Sequence, residues 1–572
     1  MSPLDYVVLL GTMLGIALYG VWRTRRNASL NTYLRGDERT GWLTIGLSVM
    51  ATQASAITFL STPGQAYESG LSFVQNYFGL PLALIVVAAV FLPIYRRLNV
   101  YTAYEYLGRR FDAKTRLLGA GLFLLQRGLA AGITIYAPAI ILATVLGWRL
   151  DLTILLTGAL VVLYTVSGGS EAVSLTQKYQ MGVILLGMIA AFVVLVLRLP
   201  ADVSLYDATT IAGGFGKLNA VDFSLDFDKR YTLWSGIFGG LFLSLSYFGT
   251  DQSQVSRYLS GGSLRASRLG LMFNAVCKIP MQAFILMLGA LVFVFYQFQT
   301  PPVFFNETAW ERHAQAEPAD GRLHTLQTEF DAVHAAKSAS IRRWLAARQA
   351  GSSAAEASAH AEMLALQART QQARAETKAA LQEMEPRLKA NDSDYIFITF
   401  VLQQLPHGLI GLLIAVIFAA ALSSSSSELS ALGSTTTVDL YRHLIRPDAP
   451  DAHYVTASKA FTMAWGAIAI GFALFANLVS NMLEAVNIVG SVFYGVVLGL
   501  FLVAFFIRYV RGSAVFYAAV LAQALVLGLF FTVSIGYLWY NLIGCAACVL
   551  LSLLFQVLRG PRADAPSAPA AS

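Results

Sequence analysis

Charge is what this sequence has least of. Asp, Glu, Lys and Arg make up 13% of its 572 residues, roughly half the share of a soluble globular chain. Hydrophobic residues make up 56% and the mean hydropathy is +0.59, which excludes an ordinary soluble domain and indicates a polytopic membrane protein. Cysteine is scarce too: Cys277, Cys545 and Cys548 only. The last two form a C-x-x-C inside the apolar run NLIGCAACVLLSLLF, where small residues packing between helices is the expected use, not redox chemistry. The seven histidines have no metal-ligand spacing. No nucleophile, base or metal cluster gathers at one depth, which argues against an enzyme. The N-terminal stretch MSPLDYVVLLGTMLGIALYG has no basic leader and no small-residue cleavage site, so it reads as a retained first span.

What is present in quantity is apolar runs of about 20 residues, the length that crosses a bilayer. They predict thirteen spans, near 4–22, 42–70, 76–95, 117–146, 151–167, 173–197, 232–255, 269–297, 406–440, 456–479, 483–507, 514–533 and 537–558. The basic residues test that count. Arg23, Arg25, Arg26, Arg35 and Arg39 follow the first span; Arg96, Arg97, Arg109, Arg110, Lys114 and Arg116 the third; Arg257, Arg265 and Arg268 the seventh. Arg442, Arg446 and Lys459 follow the ninth, Arg508 and Arg511 the eleventh, Arg559 and Arg562 the thirteenth. All are odd-numbered exits. The short loops at the other end have almost none, so the positive-inside bias places the N-terminus outside and the C-terminus in the cytoplasm of a plasma (inner) membrane. The net charge of +7 is explained by these loops and calls for no nucleic acid. Arg127, inside the fourth span, is expected to face protein or water.

Residues 302–392 break the pattern. They are rich in Ala, Glu, Gln, Arg and His, and two helical stretches flank AGSS at 350–353. A helical hairpin projecting at the outer face is expected, either as solvated decoration or as an arm for a partner. Asn306-Glu307-Thr308 fits a glycosylation sequon.

Hydroxyls and amides inside a span must face protein or a cavity. The second span has MATQASAITFLSTPGQ, the seventh SGIFGGLFLSLSYFGTDQSQ, and the ninth AAALSSSSSELSALGSTTT. On a helix Ala420, Ser423, Ser424 and Ser427 share one face. Neighbouring serine hydroxyls, opposite free carbonyls of a second span broken near Pro63-Gly64, would offer uncharged oxygens suited to a small hard cation held reversibly. Discontinuous helices at the midplane are where transporters build such sites. Close packing of small residues is the competing use of the same serines.

Four stretches carry a resemblance: ATQASAITFLSTPGQAYESGL (51–71), GGSEAVSLTQKYQMG (168–182), YFGTDQSQVSRYLSGGSLRASR (247–268) and LPHGLIGLLIAVIFAAALSSSSSELSALGSTTTVDLYR (405–442). Together they resemble the sodium:solute symporter family over most of residues 1–560, with the 302–392 segment outside. The resemblance implies an all-α, LeuT-type core of five plus five inverted-repeat helices, and alternating access driven by Na⁺ as coupling ion, with no organic cofactor. It implies a first helix and cytoplasmic loop at 1–41, repeats at 42–198 and 232–508, an outer loop at 199–231, two further helices at 509–558 and a tail at 559–572. It maps the main sodium site to the carbonyls of Ala51, Ala54 and Ala420 and the hydroxyls of Ser423 and Ser424. Solute candidates are Gln53, Thr58, Ser244, Tyr247 and Lys278, with Glu484, Asn487 and Ser491 weaker.

The chain departs from the family where members with a second sodium site have aspartate in W-T-D-x-x-Q. Here the stretch is LTQKYQ and the position is Gln177. A neutral amide there points to one Na⁺ per cycle, although Ser426 and Ser427 could still contribute. Lys178 reads as an anchor at the cytoplasmic end. Lys278 either snorkels to the interface or meets a polar or anionic solute. A solute sensor on a transporter scaffold and a proton-coupled carrier on the same fold are the alternative functions.

Overall fold

The computed structural model describes residues 1–24, 41–98, 100–318, 321–386, 388–475 and 482–559. Arg25, Arg26, Arg35, Arg39 and Arg562 of the expected loops lie outside them, as does the tail from 560. Every regular element among the described residues is helical, because a chain this apolar satisfies its backbone in lipid only within helices or a closed barrel. Helix α1 spans Pro3–Thr24, α2 Trp42–Gln53, α3 Ala56–Ser69, α4 Leu80–Val86, α5 Leu92–Leu98, α6 Ala103–Arg110, α7 Ala113–Leu146, α8 Leu150–Leu197 and α9 Leu205–Gly214. After them come α10 Gly240–Gly249, α11 Gln252–Leu259, α12 Leu264–Phe298, α13 Glu307–Ala314, α14 Arg322–Gln349, α15 Ser353–Met384 and α16 Ser393–Gln404. The chain closes with α17 Leu409–Thr435, α18 Asp451–Phe475, α19 Met482–Phe506, α20 Gly512–Thr532 and α21 Leu538–Arg559.

Nine of the described helical runs are long and apolar enough to cross a membrane, and three shorter apolar helices accompany them. The thirteen expected spans are not reproduced one for one. The expected second and third share the run Ala56–Leu98, and the fifth and sixth lie on the single helix α8, whose backbone stays helical through the expected loop near 170.

Two spans are discontinuous, and they are the first of each expected repeat. The second breaks at Ala54–Ser55, between α2 and α3, about ten residues before Pro63-Gly64, where the sequence suggested it. Pro63 sits inside α3 without interrupting it. Gly64 serves close approach instead: a Cβ there would collide with the Ser393 carbonyl at the start of α16. The seventh breaks between α10 and α11, where Asp251 caps the new helix by accepting from Ser253 N at 2.9 Å.

The basic loops gather at one end of the bundle. Arg110 donates to the carbonyls of Ile507 and Arg508, Arg116 pairs with Asp439 at 2.7 Å, and Arg96 donates to Ser267 Oγ at 3.1 Å. At the opposite end α14 and α15 form the expected hairpin. It does not project freely but lies back on the bundle: His334 Nε2 meets the Tyr296 carbonyl at 2.8 Å and Arg342 pairs with Asp202 at 2.9 Å. Asn306 of the sequon caps α13, accepting from Ala309 N. Cys545 and Cys548 are buried and unoxidised; a Cβ on Gly499 of α19 would stand 2.6 Å from Cys548 Cβ, so these small residues set the α19–α21 approach.

Candidate functional site

The break in the second span leaves the last carbonyls of α2 without an intrahelical donor. Only Met50 O is recovered by a turn, from Ala54 N at 2.7 Å. Facing this opening is the serine run of α17. Ser424 Oγ donates across the gap to Ala51 O at 3.4 Å. Ser423 Oγ, three residues from the buried Ala420, is itself buried with no hydrogen-bond partner. An orphaned hydroxyl in a protein interior calls for an explanation, and a bound ion is one. Ala51, Ala54, Ala420, Ser423 and Ser424 are all buried; the structure brings Ala51 and Ser424 into direct contact and places the others on the two facing segments.

The next turn of the serine run is different. Ser427 Oγ bonds to Ser423 O at 2.9 Å and accepts from Arg257 Nη2 at 2.6 Å, with Gln177 Nε2 at 3.5 Å. Gln177 also accepts from Ser48 Oγ at 2.6 Å and donates to Thr52 Oγ1 at 3.2 Å. Ser426 Oγ is 2.8 Å from Thr165 Oγ1. Lys178 lies away from this network, its Nζ 5.3 Å from the ring of Tyr179.

Beside the break lies a cavity of about 100 Å³. Gln53, Thr58, Ser244 and Tyr247 all line it, with Asn76, Tyr77, Asn487 and Tyr494. Lys278 does not. It is fully buried, so it does not snorkel, and its ammonium sits 5.4 Å from the ring of Tyr77, behind the wall, with no hydrogen-bond acceptor. Two weaker candidates are engaged elsewhere: Glu484 pairs with Arg230 at 2.5 Å, and Ser491 accepts from Asn541 Nδ2 at 2.9 Å.

The remaining wall is a charged cluster. Arg127 is 2% exposed. It pairs with Asp251, with Glu428 at 3.0 Å and with Tyr494 OH at 2.7 Å, and Tyr494 donates to Asp251 at 3.0 Å. Its guanidinium also stands 5.5 Å from the Tyr247 ring. Glu428 Oε2 and Gln53 Oε1 remain as buried acceptors without donors. Sequence reasoning flagged Arg127 but missed its partners. The signal was available: a buried cation requires counter-charge, and Asp251 and Glu428 are carboxylates inside the expected seventh and ninth spans. Among the described residues no group of His, Cys, Asp and Glu is arranged to hold a metal ion.

A model of the sodium:solute symporter family matches residues 33–303 and 379–521. The gap between these blocks falls on the hairpin insertion. The sodium-dependent multivitamin transporter of Oryctolagus cuniculus is 27% identical over 509 residues, 88% of this chain and 66% of that protein. The human sodium-coupled monocarboxylate transporter 1 is 28% identical over 500 residues, 87% of this chain and 68% of that protein. The human sodium/iodide cotransporter is 33% identical over 293 residues, 51% of this chain and 45% of that protein. This chain thus spans just under two thirds of the multivitamin transporter's length and less than half of the iodide cotransporter's. A substrate-bound, outward-open structure of a Na⁺-coupled sialic acid symporter superimposes with a TM-score of 0.74 at 23% identity, over 98% of this chain and 99% of that one, and shares its fold.

Proposed function

The chain belongs to the sodium:solute symporter family, and from that premise we propose that it imports a small polar organic solute by sodium-coupled alternating access, with one Na⁺ per cycle. The observation that carries the reading is the pair of serines at the helix break: Ser424 reaches Ala51 O across the gap while Ser423 keeps a buried, unpartnered oxygen. Na⁺ entering between them takes the oxygens of Ser423 and Ser424 with carbonyls of Ala51, Ala54 and Ala420, and ties α2 to α17. That tie favours the conformation that binds solute, and by linkage each ligand raises the other's affinity by the same factor. The positive-inside distribution supports the N-terminus outside, the C-terminus in the cytoplasm and residence in a plasma (inner) membrane.

The solute site is the adjoining cavity. Its two unpartnered acceptors, Gln53 Oε1 and Glu428 Oε2, favour a solute that donates hydrogen bonds through hydroxyl or amino groups. In this conformation the cavity of about 100 Å³ falls short of the roughly 300–1,000 Å³ of small-molecule sites, so a sugar- or amino-acid-sized solute requires the walls to part. Tyr247 and Arg127, in contact through the ring face, are placed to move with that opening.

A thermal-shift screen of sugars, amino acids, sialic acids and small carboxylates on the purified protein, with and without Na⁺, identifies the solute by mass action. Uptake of the hit into proteoliposomes then requires an inward Na⁺ gradient. Solute binding that no Na⁺ gradient converts into uptake would replace the symporter reading by a solute sensor. Glu428 favours one further reading, a proton-coupled carrier, since a carboxylate with a free oxygen lines the cavity; uptake driven by a pH gradient in the absence of Na⁺ would select it.

A further inference from the structure

The hairpin and the bundle enclose a second cavity, of about 240 Å³. It is lined by Glu68 at the end of α3, Lys217 in the loop after α9, Phe293 of α12, Lys337 of α14, and Arg374 and Lys378 of α15. Its charges do not balance. Arg374 and Lys378 share one carboxylate, Asp392, each at 2.7 Å. Lys217 is 8% exposed; its Nζ donates to the Glu68 backbone carbonyl at 2.5 Å and lies 4.6 Å from the Phe293 ring. Lys337 is 2% exposed and donates to Gln367 Oε1 at 3.0 Å. Among the described residues neither ammonium is in an ion pair. Four cations against Asp392 and Glu68 leave a formal charge of +2.

Burying ammoniums without counter-charge is strongly unfavourable, so a fold keeps them only if they lose a proton or gain an anion. Both groups are poised between those outcomes. Burial pulls Lys337 down to about 7, helped by the nearby charges of Arg374 and Lys217. It pulls Lys217 down to about 8 against the opposing pull of Glu68. His334, on the same helix and in the field of both Lys337 and Asp331, is held below its usual range by burial.

We propose that this cavity is a binding site for a phosphate or dicarboxylate dianion, which Lys217, Lys337, Arg374 and Lys378 hold between the insertion and the ends of α3 and α12. It is separate from the sodium cradle and does not depend on the transport reading. An anion here supplies the missing counter-charge and clamps the hairpin onto the bundle, giving the insertion a function.

The test uses the full chain in sodium-free buffer, with thermal stability read against inorganic phosphate or succinate and against chloride at matched ionic strength. A saturable upward shift of several degrees is expected with the dianions and not with chloride. Both ammoniums are charged below their lowered values and neutral above them, so binding of succinate, largely a dianion at both pH values, is expected to be on the order of tenfold weaker, or more, at pH 9 than at pH 6.5. The shift disappears in Lys337→Gln and Lys217→Gln and persists in Lys337→Arg, which keeps the charge and guards against a variant that merely misfolds. A parallel arm in nanodiscs compares phosphatidylglycerol with phosphatidylcholine: stabilisation by phosphatidylglycerol alone, abolished by Lys337→Gln, assigns the same oxyanion chemistry to a lipid headgroup. Equal shifts with chloride, or with the glutamine variants, would overturn the site.

Discussion

Ser423 and Ser426 stand one turn apart on the same helix, yet their surroundings are opposites. On the side of Ser423 and Ser424 a broken helix presents carbonyl oxygens, and one hydroxyl has no partner at all. One turn on, Ser427 donates back to Ser423 O and accepts from the Arg257 guanidinium and the Gln177 amide, while Ser426 meets the Thr165 hydroxyl. The same residue type therefore does two jobs. Oxygens left without donors attract a cation; oxygens already accepting from a guanidinium repel one. The serine run alone cannot say which turn does which, because that is decided by the elements opposite.

Removing the open face has the largest expected effect. One charge moving through 100 mV supplies about 2.3 kcal/mol and a tenfold Na⁺ gradient about 1.4 kcal/mol. Their sum supports accumulation on the order of several hundred-fold. Ser423→Ala with Ser424→Ala should bring proteoliposome accumulation down to equilibration while leaving expression intact. Normal accumulation in that double variant would move the ion site elsewhere. Next in size is a change of stoichiometry at the occupied turn. Gln177→Asp alone should leave the Na⁺ Hill slope near one, since Arg257 shares Ser427 with residue 177 and would pair with the new carboxylate. Adding Arg257→Gln removes that competitor, and the slope should rise towards two. A slope near two in the unaltered protein would refute the one-sodium reading outright. Smaller again is Glu428→Gln. Arg127 keeps Asp251 and Tyr494, and the cavity loses one charged acceptor. Hydrogen bonds to charged groups contribute about 1.5–3 kcal/mol, so solute affinity should fall about tenfold or more with the Na⁺ slope unchanged.

How far the sequence could be read follows from the range of each signal. Span positions and the segregation of Arg and Lys to alternate exits are local patterns, and the arginines do meet at one end through contacts such as Arg110 with Ile507 and Arg116 with Asp439. The face shared by Ser423 and Ser424 is a matter of helical spacing. The break itself was misplaced: Pro63-Gly64 looks like an interruption, yet the α-helix absorbs Pro63 and uses Gly64 for contact with Ser393, while the real opening at Ala54–Ser55 has no proline or glycine to mark it. Lys278 shows the same limit. Its place in the expected eighth span was visible, but its full burial behind Tyr77 depends on packing between segments about 200 residues apart. The union of Arg127 with Asp251, Glu428 and Tyr494 is longer-range still, and only the need for counter-charge hinted at it.

The smallest expected effect is the sharpest test of the contrast between the two turns. Ser427→Ala deletes an oxygen that the family's second-site pattern would use for an ion and that here accepts from Arg257. If the hydroxyl serves only the guanidinium, its loss costs about 1.5–3 kcal/mol of stability as a hydrogen bond to a charged group, seen as a drop in the thermal midpoint. Accumulation should stay within about twofold and the Hill slope at one. If instead Ser427 coordinates Na⁺, sodium affinity must fall with it, and the variant would behave as a weaker version of Ser423→Ala. The two outcomes separate on the sodium titration alone, because a guanidinium within hydrogen-bond reach of an oxygen and a sodium ion on that same oxygen exclude each other by charge.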